Sequence, residues 1–205
     1  NPEESYQLDL GLRWGNDKVT VQFDPYLNYF PNYIYMNPTP NYYEGLQWYY
    51  YTQSRVIRCG FELQADWKIL PSLSAEFKGE YLYAEQLSGE KKGYTLPFST
   101  PWSADATLRY AFCRKNVGNE GFVAMNMHVT GRQNNIVPPE KPTPGYYTLN
   151  LTAGKDFAFG ERTLRLSLNA ENLLNRKYYD HTSFYRLIDV PEPGRNVALM
   201  ATFEF

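Results

Sequence analysis

The sequence predicts an all-β protein, an antiparallel up-and-down transmembrane β-barrel, of which this chain supplies about nine strands. Three observations predict that fold. Apolar and polar residues alternate with a period of two through most of the chain, tight turns and long loops alternate between the strands, and aromatic residues lie at both ends of the apolar faces. Each observation is weak alone, but together they favour a barrel wall.

The composition agrees with strands rather than helices in a membrane. Aromatic residues make up 17% of the chain and include 19 tyrosines, yet the mean hydropathy is −0.55. No run approaches the ~18 apolar residues of a membrane helix. A barrel strand points only every second residue at lipid, so its average stays polar.

The first half of the chain contains four predicted strands. In the first, Tyr6, Leu8, Leu10, Leu12 and Trp14 alternate with polar residues or glycine. The third is expected to bend near Gln53 and Ser54. The strands are predicted at residues 6–14, from about 18 toward 35, 46–69 and 75–83, separated by a turn at 15–17, a Pro- and Tyr-rich loop at 37–45 and a turn at 70–72.

The second half contains five more strands with the same alternation. One of the three loops that precede or separate them, 133–145, contains four prolines, and each loop is longer than the turns. The strands are predicted at residues 102–112, 123–130, 147–153, 164–170 and 197–205, with loops at 85–101, 133–145 and 174–194 and turns at 115–120 and 159–161.

The strand lengths and the aromatic positions fit a bilayer. A tilted crossing needs ~9–11 residues. Tyr6 and Trp14 end one apolar face, and along the membrane normal they are expected ~20 Å apart, near the ~25 Å between two interfacial girdles. A soluble half-buried sheet also alternates, so a soluble β-sandwich binding module is the alternative class. Repetition over eight or nine strands favours the membrane.

Several other functions are not supported by the sequence. The net charge is −2 without a basic stripe, so we expect no nucleic-acid partner. Cys59 and Cys113 fall on opposite faces, so no disulfide is expected, and no zinc spacing occurs. A barrel lipase needs a nucleophile beside a base, but His128 shares its face with Thr130 and Asn126 and with no serine. We therefore predict neither an enzyme nor a cofactor.

The end of the chain resembles a known family. Its segment Asn169-Ala-Glu-Asn-Leu-Leu-Asn-Arg-Lys-Tyr-Tyr-Asp-His, followed by Pro193-Gly194-Arg195-Asn196 and the final Phe205, is similar to the last two strands of TonB-dependent receptors, with Leu173-Leu174 in place of the usual Leu-Phe. Weaker landmarks occur in the same order as in the family: Pro2-Glu3-Glu4-Ser5, Gly60-Phe61-Glu62, Leu96-Pro97 with Pro101, and Pro144-Gly145-Tyr146.

The resemblance implies a protein larger than this chain. Such receptors have a 22-stranded barrel and an N-terminal plug. Residues 1–205 would be a single region, the C-terminal portion of that barrel without the plug, in the bacterial outer membrane. The partners implied are the lipid bilayer, the missing plug and remaining barrel strands, the TonB system through the plug, the barrel-assembly machinery and a small-molecule ligand.

The function implied is uptake of an iron chelate, metal or similar scarce nutrient. A haem receptor or a carbohydrate or oligopeptide receptor of the same family is the alternative. The F-R-A-P and N-P-N-L boxes of haem receptors do not occur here, which lowers the case for haem.

Candidate ligand residues lie in the outer loops: Tyr33, Tyr35, Tyr42, Tyr43, Trp48, Tyr179 and His181. Their rings could stack on a flat chelate or sugar, or could instead form an aromatic girdle. His181, beside Asp180, has no second histidine, so no metal site is predicted. His128 is expected to be a hydrogen-bonding residue of the wall.

Two further sets of residues have expected roles in the assembled barrel. Phe203 and Phe205 resemble the terminal signal that the assembly machinery recognises. The lumen charges dock the plug or form ion pairs between neighbouring strands, and these two roles remain open. They are Glu76, Lys78, Glu80, Arg109 and Arg165.

Overall fold

A computed structural model describes residues 2–112 and 120–204. In this part of the chain all ten strands belong to one antiparallel sheet, in which β1 and β2 both pair with β3 and each strand from β3 onward pairs with the next along the chain. The strands are β1 Tyr6–Asp9, β2 Leu12–Gly15, β3 Val19–Tyr43, β4 Leu46–Leu70, β5 Leu73–Gln86, β6 Ser103–Phe112, β7 Gly121–Thr130, β8 Tyr146–Phe159, β9 Arg162–Glu171 and β10 Asn196–Glu204.

This topology confirms the up-and-down fold. The sheet runs from β1 to β10 and is open, and it does not fold into two packed layers. The soluble sandwich alternative is therefore wrong. The described residues include no helix with the length and apolar character needed to cross a membrane.

The first predicted strand is present but interrupted. β1 and β2 pair with β3 in one continuous register, and the gap between them lies where Leu10 faces Pro25. The Leu10 N–H donates to the Pro25 carbonyl at 3.0 Å, whereas Pro25 has no N–H to return the bond. β1 and β2 are thus one edge strand, interrupted where Pro25 cannot supply a hydrogen bond to the ladder.

The predicted loop at 37–45 is wrong, because β3 and β4, each of 25 residues, continue through it as one hairpin. Its tip is a two-residue turn, Glu44-Gly45, in which both residues have positive φ (50° and 83°), as a tight hairpin turn requires. Beyond Tyr29, the described partner of β3 is β4 alone, and Pro31 falls in the register shift between Phe30 and Tyr33, where proline is tolerated.

The bend expected near Gln53 and Ser54 corresponds to a bulge on the partner strand. The register of β3 shifts between Phe30 and Tyr33, opposite Val56 and Ser54. The extra residue therefore belongs to β3, and it increases the local twist of the hairpin.

The short and long connections lie at opposite ends of the sheet. Pro71-Ser72 and Gly160-Glu161 form two-residue turns at what we call the turn end. The loops 87–102, 131–145 and 172–195, with the hairpin tip, form the loop end; a short 3-10 helix, Phe184–Ile188, lies in the last loop. Most of the predicted turn 115–120, and Cys113, fall outside the described residues.

The two faces of the sheet differ as the alternation predicts. One face exposes large apolar side chains, and the other carries hydrogen-bonded polar groups. We call these the apolar face and the polar face. Exposed members of the apolar face include Leu8, Trp67, Leu108, Met125 and Leu199.

Candidate functional site

The polar face carries a hydrogen-bonded ladder centred on His128. Its Nδ1 lies 3.0 Å from Asp105 Oδ2, and its Nε2 lies 2.9 Å from the Thr130 hydroxyl. Asn126 donates to Asp105 Oδ1 at 3.1 Å and accepts from Asn150 at the same distance. These contacts make His128 a hydrogen-bonding wall residue, as expected.

The charges of the polar face have partners within the sheet. Lys78 forms an ion pair with Glu76, and Arg165 Nε lies 3.0 Å from Asp156 Oδ1. Arg109 lies over the Phe122 ring at 3.5 Å. Glu80 accepts a hydrogen bond from the Ser103 hydroxyl at 2.7 Å. Arg165 thus makes the predicted ion pair between neighbouring strands, whereas Lys78 and Glu76 lie on the same strand and Arg109 and Glu80 contact uncharged groups. Docking of a plug stays a prediction.

At the loop end, a buried carboxylate joins three loops. Glu140, in loop 131–145, accepts at one oxygen from Arg186 Nη2 (2.9 Å) and from the Phe98 N–H (3.1 Å). Arg186 belongs to loop 172–195 and Phe98 to loop 87–102. The side chains of Glu140 and Arg186 are only 1% and 5% exposed. Burial raises the pKa of Glu140, although the Phe98 N–H and Arg186 oppose that rise.

Aromatic rings surround this ion pair. The Phe98 and Phe184 ring centroids lie 4.6 Å apart, and the Arg186 guanidinium lies 5.1 Å from the Phe98 ring. Tyr49, on the hairpin, stacks on Phe98 at 6.1 Å. The hairpin and the three loops therefore meet in one cluster.

The predicted ligand residue His181 lies beneath this cluster and is 1% exposed. Its Nδ1 lies 2.9 Å from the Thr143 hydroxyl, while its Nε2 lies 4.0 Å from Glu140 Oε2, and neither of these last two atoms has a hydrogen-bond partner. Burial, and then the charge of Arg186, lower the pKa of His181 to about 4. The imidazole is therefore neutral at physiological pH.

Asp180, next to His181, is held as an anion. Burial opposes its ionisation, but hydrogen bonds from Thr182 and from the Tyr146 hydroxyl (2.7 Å) outweigh burial and lower its pKa. Tyr146 also stacks on Tyr178, with ring centroids 4.2 Å apart. These contacts attach the last loop to the start of β8.

A cavity of about 600 Å³ opens above the buried ion pair. The hairpin tip contributes Tyr42, Gln47 and Tyr49, loop 131–145 contributes residues 139–144, and loop 172–195 contributes Tyr179 and residues 184–189. We call this the loop-end pocket. Its lining is mostly apolar and includes five aromatic residues and three prolines, with Glu140 and Arg186 also present. Pockets of this size and character accept small organic ligands.

The seven predicted ligand residues do not lie together in the structure. Tyr42 and Tyr179 line the loop-end pocket, and His181 lies buried below it. Tyr33 and Tyr35 pack instead against the small core of Val56, Ala84 and Leu96. Tyr43 and Trp48 are exposed on the hairpin, with their rings 6.4 Å apart. Their ligand roles stay predictions.

The cluster residues Glu140, Arg186, Phe98 and Phe184 were not predicted from the sequence. Each lies in a loop, and their contacts join residues far apart along the chain, so no local pattern marks them. Among the described residues, no group of three or more His, Cys, Asp or Glu side chains could hold a metal ion.

The C-terminal motif has a structural explanation. Asn172, which is buried, donates through Nδ2 to the carbonyls of Arg176 and Pro193, at 2.8 and 3.3 Å. Asn175 Oδ1 accepts from the Arg195 N–H at 3.0 Å. The asparagine box and the Pro-Gly-Arg segment thus bind each other. Phe203 lies on the edge strand β10, and Phe205 falls outside the described residues.

Solved structures share this fold. The copper transporter OprC superposes with a TM-score of 0.78 at 20% identity, covering 96% of this chain and 31% of that one. The ferric citrate transporter FecA gives 0.72 at 19% (98% and 31%), and the ferric yersiniabactin uptake receptor FyuA from Yersinia pestis gives 0.63 at 19% (86% and 26%). This chain therefore spans less than a third of each of these proteins.

The sequence itself identifies the family. Residues 1–173 match the family described as TonB dependent receptor-like, beta-barrel. That match covers most of the strands. The open antiparallel sheet, its polar and apolar faces and this match agree, and the chain belongs to the TonB-dependent receptor β-barrel family.

Proposed function

We propose that this chain forms part of the wall of a bacterial outer-membrane TonB-dependent receptor that imports an iron chelate, a metal or a similar scarce nutrient. The family match carries the proposal. Three proteins of similar structure support this nutrient class: a copper transporter, a ferric citrate transporter and a ferric yersiniabactin uptake receptor.

The sheet would be oriented with its apolar face toward lipid and its polar face toward the lumen. In barrels of this type the short connections face the periplasm and the long ones face outward. The loop-end pocket would then be open to the outside. Its partners would be the plug, the remaining strands, the TonB system through the plug and, through Phe203 and Phe205, the barrel-assembly machinery.

The pocket supports ligand capture at the loop end. Tyrosine and proline walls offer flat apolar surfaces, and Gln47 and Lys141 supply polar groups at the same cavity. Aromatic rings stack well on flat chelates and on sugars. A haem, carbohydrate or oligopeptide receptor is therefore the second candidate.

Uptake by cells that carry the full-length gene tests the proposal. Under iron limitation, cells with the gene and cells lacking it would receive radioactive iron as ferric citrate or as a ferric catecholate, or copper as the cupric ion. We expect gene-dependent accumulation of at least one probe, and its loss when TonB is deleted. Gene-dependent growth on haem, an oligosaccharide or a peptide as sole source, without metal uptake, would favour the second candidate.

Pocket variants refine that test. Tyr42→Ala and Tyr179→Ala remove rings that line the pocket, so the concentration needed for half-maximal uptake should rise. Tyr51→Ala is the matched control, because its ring is 78% exposed and is not in the pocket lining. Equal effects of all three variants would argue against ligand capture at this pocket.

A further inference from the structure

The ion pair between Glu140 and Arg186 joins all three loops of the loop end, beside pairwise contacts such as Gln133 to the Ser99 carbonyl (2.7 Å) and Thr143 to His181 (2.9 Å). One Glu140 oxygen binds Arg186 Nη2 at 2.9 Å and the Phe98 N–H at 3.1 Å. Arg186 also donates through Nε to the His181 carbonyl at 2.6 Å, which fixes its guanidinium within its own loop. A single carboxylate oxygen therefore joins loops 87–102, 131–145 and 172–195.

Burial makes this pair sensitive to the loss of either partner. An exposed ion pair contributes little, because water replaces the lost contact. Glu140 and Arg186 are almost fully buried, so removing one of them leaves an uncompensated charge away from water. The second Glu140 oxygen already lacks a hydrogen-bond partner, with His181 Nε2 4.0 Å away.

The same pair lines the loop-end pocket. The remaining walls come from the hairpin tip and from residues 139–144 and 184–189, which adjoin Glu140 and Arg186 along the chain. If the loops separated, those walls would separate with them. A ligand would then have to order the loops as it bound, which lowers affinity.

We propose that Glu140 and Arg186 are positioning residues, a loop clasp that holds the three loops together and so forms the loop-end pocket before ligand arrives. The clasp acts through the loops and need not touch ligand. Its role in uptake rests on the proposed function, whereas its effect on loop order does not.

Amide hydrogen exchange on the purified full-length receptor tests the clasp without any ligand. Glu140→Gln keeps an acceptor for Phe98 but removes the charge, and Arg186→Gln removes the other partner. We expect exchange in all three loops to become about tenfold faster or more in each variant. Lys78→Gln, in an exposed ion pair of the wall, is the control and should leave the loops unchanged.

The double variant distinguishes the interaction between the two charges from the effect of losing each residue alone. If the two charges act on each other, Glu140→Gln with Arg186→Gln should be less damaging than the sum of the single effects. Additive effects, or faster exchange confined to one loop, would overturn the clasp. Folding is checked by the heat-modifiable migration of the barrel, which all variants should retain.

An uptake measurement then tests the functional part. For whichever of ferric citrate, a ferric catecholate or cupric ion the wild type imports, the clasp variants should need about tenfold more probe or more for half-maximal uptake, with the maximal rate per receptor unchanged. A fall in maximal rate alone would overturn the positioning role. If the wild type imports none of the probes, the proposed function fails, but exchange still decides the clasp.

Discussion

Asn172 shows how much one side chain can organise at the end of a strand. Its Oδ1 accepts from the Arg176 N–H at 2.8 Å, its Nδ2 reaches two carbonyls, and its own N–H donates to Asn150. It also has a positive φ of 46°, which asparagine tolerates better than most residues. The motif residue therefore closes the last loop and joins it to β8.

Replacing Asn172 by Ala should destabilise the loop end. The buried N–H and carbonyl groups would lose their partners, at about 1–3 kcal/mol for each group left unsatisfied. The heat-modified form should appear at a lower temperature, and amides of 172–195 should exchange faster. Asn169→Ala is the control, because its side chain is exposed. Equal stability of the two variants would refute this role.

His181 should make the loop end sensitive to acid. Its pKa is about 4 in the fold against an ordinary 6.5, so below pH 6.5 the unfolded loop takes up a proton that the folded loop does not. The stability that His181 contributes is complete above pH 6.5 and is lost as the pH falls toward 4. At pH 5 the loss is about 2 kcal/mol.

The charged groups around His181 determine which comparison isolates its contribution to stability. Asp180 favours a charged imidazole, Arg186 disfavours it, and Glu140, whose own pKa is raised, has the opposite pH dependence. The informative quantity is therefore the difference between wild type and His181→Gln. Protease protection of the loops should fall between pH 7 and pH 5 more steeply in wild type. Parallel pH curves would contradict the prediction.

The hairpin of β3 and β4 shows why a local sequence pattern can predict a loop where the structure has a strand. Prolines and tyrosines between residues 37 and 45 have the composition of a loop, yet they form a ladder that ends in a two-residue turn. Pairing with residues 46–50 of β4 makes this segment a strand. A local window over residues 37–45 does not contain that partner.

Gly60 is required by close packing between β4 and its neighbours. A Cβ there would lie 2.1 Å from the Tyr81 carbonyl oxygen and 2.6 Å from the Tyr26 hydroxyl. Gly60→Ala should therefore force the strands apart, at about 1–3 kcal/mol, and lower the yield of folded barrel. Gly79→Ala should fold normally, because its closest contact would be the movable Phe77 ring at 3.3 Å and the Ser103 carbonyl oxygen would lie at an ordinary 3.9 Å. Similar yields would show that the strand spacing adapts.

For the whole molecule, the sequence predicts the sheet better than the site. Strand order, most turns and the two faces follow from alternation and connection length, which are local signals. The loop-end pocket depends on contacts such as Phe98 with Glu140 and Glu140 with Arg186, 42 and 46 residues apart. Contacts between residues so far apart produce no periodic pattern in the sequence. The composition of the loops therefore predicted the pocket residues Tyr42 and Tyr179, but nothing in the sequence predicted the clasp.

The assignment of the two faces can be tested on adjacent residues of β6. Leu108 points out of the apolar face and is half exposed, whereas Thr107 accepts a hydrogen bond from Asn126 on the polar face. In the full-length receptor with Cys59→Ala and Cys113→Ala, a spin label would be placed at either position.

At position 108 the label should collide readily with oxygen dissolved in lipid and rarely with a water-soluble nickel chelate, because apolar gases concentrate in the bilayer. At 107 the preference for oxygen should disappear, since a side chain one residue along the strand projects to the opposite face. Frequent collisions with nickel at 108 would mean that water covers the apolar face, and the outer-membrane location would then have to be abandoned even though the family membership stands.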